Sequence, residues 1–189
     1  MSTTQAAPTY RSSAQLADHL QRVLVDLIEL HLQAKQAHWN VVGHNFRDLH
    51  LQLDEIVDTA RTFSDQVAER MRALWVAPDG RSATVSAKTS LAAMPDGELD
   101  TAAVVDLITE QLHAASRTLR GVHDEVDQED PTSADILHQI IEQLEKFAWM
   151  VGAENRRRQQ RSYIRRESAE GGAPERPWPF SLESPPPSR

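Results

Sequence analysis

Four stretches of this chain carry apolar residues at every third or fourth position, and this repeat is the feature that most constrains its fold. The stretches cover about residues 12–40, 45–77, 100–129 and 130–155. Apolar side chains at this spacing share one face of an α-helix, so each stretch predicts an amphipathic helix of about 25–30 residues. The chain therefore predicts an all-α domain.

Residues that begin or end helices stand between these stretches. Ser12 or Ser13 is a good N-cap for the first helix, and Gly43 follows its end. Asp130 followed by Pro131 predicts an N-cap and a first-turn proline for the fourth helix. Residues 78–99 contain several glycines and prolines and predict a long connection with room for one short helix. Four helices with one long second-to-third crossover describe a ferritin-like four-helix bundle.

Charge and proline content divide the chain into three parts. Residues 1–155 carry 12 basic and 24 acidic side chains, whereas residues 156–166 carry six arginines and no acid. Six of the ten prolines lie after residue 166 and exclude further helix there. The predicted organisation is an N-terminal tail (1–11), a helical bundle (12–155) and an arginine-rich, then proline-rich C-terminal tail (156–189).

Composition excludes several classes of function. The chain has no cysteine, which rules out disulfides, thiolate metal sites and cysteine nucleophiles. It has no run of about 18 apolar residues and a polar N-terminus, so we expect a soluble, unexported, cytoplasmic protein without a membrane partner.

Histidines and carboxylates occur together in one short stretch at the first helix junction. The motif begins at His38-Trp39-Asn40 and continues through Gly43 and Phe46. Its candidate metal ligands are His38, His50, Asp54, Asp65 and Glu69. Imidazole with carboxylate is a ligand mix that suits iron, manganese or zinc. The stretch therefore predicts a metal site.

The spacing of these ligands predicts a site shared between two chains. On one helix, Asp54, Asp65 and Glu69 lie within about 100° of His50, on a stripe that points away from the core of the bundle. Yet His50 and Asp65 are about 22 Å apart along the helix, too far for one ion. Two copies of the second helix crossing antiparallel near Ala60 would pair the two ends and create two identical sites. The alternative is an ordinary solvated helix face.

The stretch that carries these ligands resembles a known family. The stretch from Lys35 through His38-Trp39-Asn40 to Ala68-Glu69-Arg70, with Leu144-Glu145-Lys146-Phe147-Ala148-Trp149, is similar to the Dps proteins, the mini-ferritins of starved bacterial cells. The resemblance covers about residues 12–155 and neither tail.

The resemblance implies a homo-oligomer, a hollow dodecamer built from twofold dimers. It implies oxidation of Fe(II), preferentially by hydrogen peroxide, to Fe(III) that is stored as mineral. His38, His50 and Asp54 would join Asp65 and Glu69 of the partner subunit in the ferroxidase centre. Trp39 would intercept stray oxidising equivalents or simply pack at the interface.

Three other clusters have competing interpretations. Glu110/His113 and Asp135/His138 are spaced as ligands of a di-iron site inside the bundle, but we expect both histidines to turn away from the core. By analogy with the family, an acidic cluster would guide Fe(II) inward, or simply surround a solvated turn: Asp124, Glu125, Asp127, Glu129, Asp130 and Asp135.

The arginine cluster would bind DNA phosphates and associate the shell with the nucleoid, or form salt bridges with the acidic body. It consists of Arg156, Arg157, Arg158, Arg161, Arg165 and Arg166. A shell that mainly binds DNA through these arginines is the alternative function.

Overall fold

The computed structural model describes residues 10–156, which form five helices and one short pair of strands. The helices are α1 (Ala14–Asn40), α2 (Phe46–Ala73), α3 (Ser82–Lys88), α4 (Thr101–Glu129) and α5 (Pro131–Ala153). The four long helices pack as two hairpins, α1 with α2 and α4 with α5, and α1 also packs on α4. Their apolar faces enclose one core. The predicted ferritin-like bundle with one long crossover is confirmed.

Side-chain caps begin two of the long helices. The Ser13 hydroxyl accepts a hydrogen bond from the Leu16 N–H at 3.0 Å, as an N-cap of α1 does. The Asp100 carboxylate accepts from the N–H groups of Ala102 and Ala103 at 2.8 and 3.2 Å. These bonds satisfy N–H groups that have no partner within the helix.

The fourth long helix begins differently from the prediction. Asp130 stands at the N-cap position of α5, but its carboxylate caps no helix N–H. The carboxylate instead accepts three bonds from Arg70, at 2.7, 2.9 and 3.3 Å, and one from the Ser133 hydroxyl. The position of the cap was predicted correctly, but its bonding was not.

A two-residue parallel strand pair, which the sequence did not predict, closes one end of the bundle. β1 (Val41–Val42) follows α1 and pairs with β2 (Leu99–Asp100), which precedes α4. Gly43 then turns the chain with a φ of +117°, a backbone conformation that residues other than glycine rarely adopt. This turn delivers the start of α2 beside the end of α1.

A buried carboxylate fixes the crossover between the hairpins. Asp26 of α1 is 1% exposed. It accepts hydrogen bonds from the Ser90 N–H and hydroxyl at 2.7 and 2.6 Å and from the Thr118 hydroxyl at 2.7 Å. The Thr89 hydroxyl adds a bond at 3.1 Å. The crossover is thereby joined to both α1 and α4.

The bundle forms one compact unit that ends at Glu154. Within residues 10–156, no helix combines the length and apolar character needed to span a membrane. Arg156 is exposed, and the predicted DNA contacts Arg157, Arg158, Arg161, Arg165 and Arg166 lie outside the described residues. The two predicted tails lie almost entirely outside them as well.

Candidate metal centre

The end of α1 and the start of α2 bring three of the five predicted ligands together. His38 lies in the last turn of α1, and His50 and Asp54 lie one turn apart on α2. One candidate ligand atom from each lies within 4.8 Å of the others. Among the described residues this is the only group of three histidines or carboxylates that converges in this way.

The two histidines orient each other through the backbone. Nδ1 of His38 lies 3.0 Å from the carbonyl oxygen of His50, and Nδ1 of His50 lies 3.0 Å from the carbonyl oxygen of His38. Because a carbonyl only accepts, both Nδ1 atoms must carry the proton, which leaves each neutral ring its Nε2 lone pair. The rings stack with centroids 3.6 Å apart. Such hydrogen bonds fix the ring orientation that a metal-binding histidine requires.

A lysine holds the carboxylate of the group. Nζ of Lys35 donates to Oδ1 of Asp54 at 2.5 Å, and Nδ1 of His38 lies 3.2 Å from the same oxygen. The hydrogen bond from Lys35 is the main reason why the pKa of Asp54 lies below its ordinary value. Asp54 is therefore ionised at neutral pH. Sequence reasoning missed Lys35, although it precedes His38 by three residues and so lies on the same face of α1.

The other two predicted ligands lie farther along α2. Asp65 and Glu69 are both exposed, and Asp65 is about 16 Å along the helix from Asp54. Asp65 lines an open groove of about 620 Å³ between α1 and α2. His31, which sequence reasoning did not single out, lines the same groove, and burial lowers its pKa. Within one chain Asp65 and Glu69 do not reach His38 and His50, so their role as metal ligands remains a prediction.

Three large apolar side chains of α1 and α2 are exposed in the single chain. Trp39 is 68% exposed, Leu32 48% and Leu51 49%. Single exposed apolar residues are common, but three on the two helices that carry His38 and His50 are compatible with a surface that a partner covers.

The alternative site inside the bundle is not supported by the placement of its residues. Glu110 and His113 are exposed, whereas their neighbour Leu112 is fully buried. His138 and Asp135 are also exposed. None of the four points into the core.

The acidic cluster at the turn between α4 and α5 is only partly available to solvent. Asp124, Asp127 and Asp135 are exposed. Asp130 is 8% exposed and is bonded to Arg70, so it does not fit the predicted role of guiding iron from solvent. Glu125 contacts His19 and Glu129 accepts a hydrogen bond from Ser13. For the five residues other than Asp130 the role in guiding iron stays a prediction.

Comparisons with known proteins agree with the bundle and its histidine motif. A family model described as a ferritin-like domain matches residues 17–158. DNA protection during starvation protein 2 of Deinococcus radiodurans is 36% identical over 71% of this chain and 56% of its own length. A DNA protection during starvation protein of Mycolicibacterium smegmatis is 33% identical over 76% of this chain and 78% of its own length. The chain belongs to the Dps family.

Solved structures place the Dps fold on the same residues. A crystal structure of a Dps from Deinococcus radiodurans superposes with a TM-score of 0.73 at 34% identity. It covers 75% of this chain and 86% of that protein. The chain spans little more than half of the length of the Deinococcus relative with the 36% match.

Proposed function

We propose that this Dps-family protein oxidises Fe(II) at a centre shared by two subunits and stores the ferric product. His38, His50 and Asp54 of one subunit hold the iron together with Asp65 and Glu69 of the partner subunit. The observation that carries the proposal is the convergence of two oriented histidines and one carboxylate at the surface. The ferritin-like Dps family supports iron storage and DNA protection as the general role.

The chemistry of the group fits iron as its substrate. Two neutral imidazoles and carboxylates bind Fe(II), and carboxylates favour the harder ferric product. Few protein ligands leave open positions on the metal where an oxidant can bind. The hydrogen bonds between Nδ1 and the backbone keep both Nε2 atoms available without a change of tautomer.

Hydrogen peroxide is the proposed oxidant. Two Fe(II) ions supply the two electrons that reduce one peroxide to water, so no hydroxyl radical is released. Trp39 lies beside a ligand and is 68% exposed in the single chain. It would either intercept stray oxidising equivalents or be covered by the partner.

The proposed assembly follows from what a single subunit lacks. Each chain presents a histidine half and, about 16 Å along α2, a carboxylate half. A twofold dimer joins the halves into two complete centres, and we propose that such dimers build a hollow dodecamer that holds the ferric mineral. Oxidised iron enclosed in a shell is kept from DNA, which fits a protective role in the cytoplasm.

A subunit-mixing experiment tests the shared centre. One variant carries His38→Ala and His50→Ala, and the other carries Asp65→Ala and Glu69→Ala. Each alone loses both centres and should oxidise Fe(II) with peroxide at the rate of buffer. Co-expressed with different tags at equal amounts, half of the dimers are mixed, and each mixed dimer regains one of its two centres. The mixture should recover about a quarter of the wild-type rate, measured by ferric absorbance after a peroxide pulse.

The control is a mixture in which one variant carries all four substitutions. It restores no centre and should stay at the rate of buffer. If the two half-site variants also give no recovery while mixed dimers are isolated, the ligands belong to one subunit and the shared centre is wrong. If the histidine variant alone keeps the wild-type rate, the ferroxidase proposal itself is wrong.

A further inference from the structure

Two oppositely charged side chains of α2 lie between the two halves of the proposed metal centre. Asp58 follows Asp54 by about one turn, and Arg61 comes about one turn before the next carboxylate ligand, Asp65. At about 100° per residue from His50, Asp58 lies at about 80° and Arg61 at about 20°, on the same stripe as the ligands. Both charges therefore face the way the ligands face, although the proposed iron chemistry uses neither.

Neither charge has an opposite charge beside it in the single chain. Asp58 and Arg61 are exposed, and neither side chain forms an ion pair with another side chain of residues 10–156. Arg61 lines the groove between α1 and α2 together with His31. Burial is the main reason why the pKa of His31 is lowered, and the charge of Arg61 adds to this effect. A subunit that covers this stripe would bury two unpaired charges unless it supplies their opposites.

The register of the proposed dimer brings these two charges together. In an antiparallel twofold contact, two positions face each other when their residue numbers add to one constant, and each contact occurs twice. The ligand pair of Asp54 with Asp65 of the partner subunit fixes this constant, and the ligand pair at positions 50 and 69 has the same value. Asp58 and Arg61 add to this value as well. The register that joins the ligands therefore places Asp58 opposite Arg61 of the partner subunit, once on each side of the axis.

We propose that Asp58 and Arg61 form two reciprocal ion pairs across the twofold axis, and that these pairs select a second copy of this chain and set its register. The inference rests on the proposed shared centre. A guanidinium can donate two hydrogen bonds to one carboxylate, which fixes orientation as well as attraction. A contact displaced by one turn towards the end of α2 would instead place Asp58 opposite Asp65 of the partner subunit, and these like charges disfavour it.

Charge reversal in separate chains tests the pairing. One full-length chain carries Asp58→Arg, and a second chain with a different tag carries Arg61→Asp. In a dimer of either variant alone, like charges face each other at both contacts, so association should be about tenfold weaker or more. In a mixed dimer both contacts join opposite charges. Sedimentation velocity over a concentration series measures association, and native mass spectrometry of the co-expressed chains should find almost only mixed dimers, whereas random pairing gives about half.

Matched charge reversals on α1 are the control. Asp18 and Arg22 are both exposed there, so Asp18→Arg and Arg22→Asp change the net charge by the same amounts. Each should associate like wild type, and the two should pair at random. If either α2 variant loses helix content by circular dichroism, one chain that carries both Asp58→Arg and Arg61→Asp replaces it. That chain restores both pairs in its own dimer, so it should assemble like wild type and exclude wild-type chains.

Wild-type association of the single variants, or random pairing in the mixture, would overturn the proposal. Random pairing is also the result expected if Asp58 and Arg61 attract each other only within their own helix, three residues apart. Selective mixed dimers that oxidise no Fe(II) would leave the charge pairing standing and refute the ferroxidase proposal. Random pairing with normal Fe(II) oxidation would refute the charge pairing alone, so the two failures are distinguishable.

Discussion

At the scale of single residues, the cation that holds the candidate centre is a lysine. Nζ of Lys35 lies 2.5 Å from Oδ1 of Asp54, so its ammonium neutralises a carboxylate that the proposed iron also needs. A metal that binds Asp54 must therefore replace this contact. Lys35 therefore stabilises the Asp54 carboxylate when no metal is bound and competes with a metal for the same oxygen.

Lys35→Gln should strengthen metal binding. Removing the ammonium removes both the competing bond and a repulsive charge. Because solvent screens this partly exposed pair, we expect a gain in affinity of about a few-fold. Anaerobic Co(II) titration of wild type and variant measures the change in affinity. Lys35→Arg keeps the charge, so its affinity for Co(II) should match that of wild type. Weaker binding by the glutamine variant would show that Lys35 assists metal binding instead.

The sequence predicted the approach of His38, His50 and Asp54 but not how they are held. His50 and Asp54 follow from a one-turn spacing, and His38 follows from the glycine turn that joins the helices. The reciprocal bonds from Nδ1 to the backbone depend on how closely α1 approaches α2, which residue types do not specify. Lys35 reads as an ordinary surface lysine until Asp54 is placed beside it.

At the scale of elements, Asp26 joins α1, the crossover and α4 through one buried carboxylate. Its buried carboxylate accepts bonds from Thr89, Ser90 and Thr118. Asp26→Asn should destabilise the protein by about 2–3 kcal/mol, because its amide leaves at least one of these donors without an acceptor. Urea unfolding at fixed protein concentration measures the loss. Asp18→Asn, at an exposed position of the same helix, should have little effect, and equal losses would show that the bonds do not stabilise the crossover.

The ion pair between α2 and α5 predicts a dependence on pH. Although burial raises the pKa of Asp130, hydrogen bonds from Ser133 and Arg70 lower it on balance. A folded pKa below the unfolded value stabilises the protein above about pH 4, and this stability is lost as pH falls through the folded pKa. Asp130→Asn should therefore cost about 2 kcal/mol at pH 7, since it leaves Arg70 half-buried without its partner. The difference in urea midpoint between variant and wild type should shrink as pH falls below about 4, and a difference that stays constant would contradict the assignment.

The same elements show what a periodic pattern predicts well. The four long helices follow from apolar residues at three-four spacing, and Ser13 begins α1 as expected. The pair of β1 and β2 spans two residues each, too short for an alternating pattern to appear. Asp130 looks like a cap because local sequence does not show that Arg70 lies opposite it.

At the scale of the whole molecule, the outer face of α1 and α2 predicts the assembly. Leu32 is 48% exposed in the single chain, two turns from Trp39. Leu32→Glu would place a charge in the proposed twofold interface, at a cost of several kcal/mol. Sedimentation velocity should show smaller species, with loss of peroxide-driven iron oxidation and unchanged helix content. Ala83→Glu on the exposed face of α3 is the control. An intact assembly of the Leu32→Glu variant would exclude the outer face of α1 and α2 as the interface.

The separation of charge along the chain leads to the last prediction. Six arginines within residues 156–166 follow the acidic bundle in the sequence. In a shell of many subunits each chain would contribute these arginines, which would multiply the contacts with DNA phosphates. If these arginines bind DNA, the affinity should fall steeply between 50 and 200 mM salt, by about a thousandfold for roughly six phosphate contacts. Changing all six to glutamine should abolish the gel shift and leave iron oxidation intact. The variant with His38→Ala and His50→Ala should lose iron oxidation and keep the gel shift. A gel shift that survives the glutamine changes would show that DNA binds elsewhere and would favour intersubunit salt bridges as the role of the arginines.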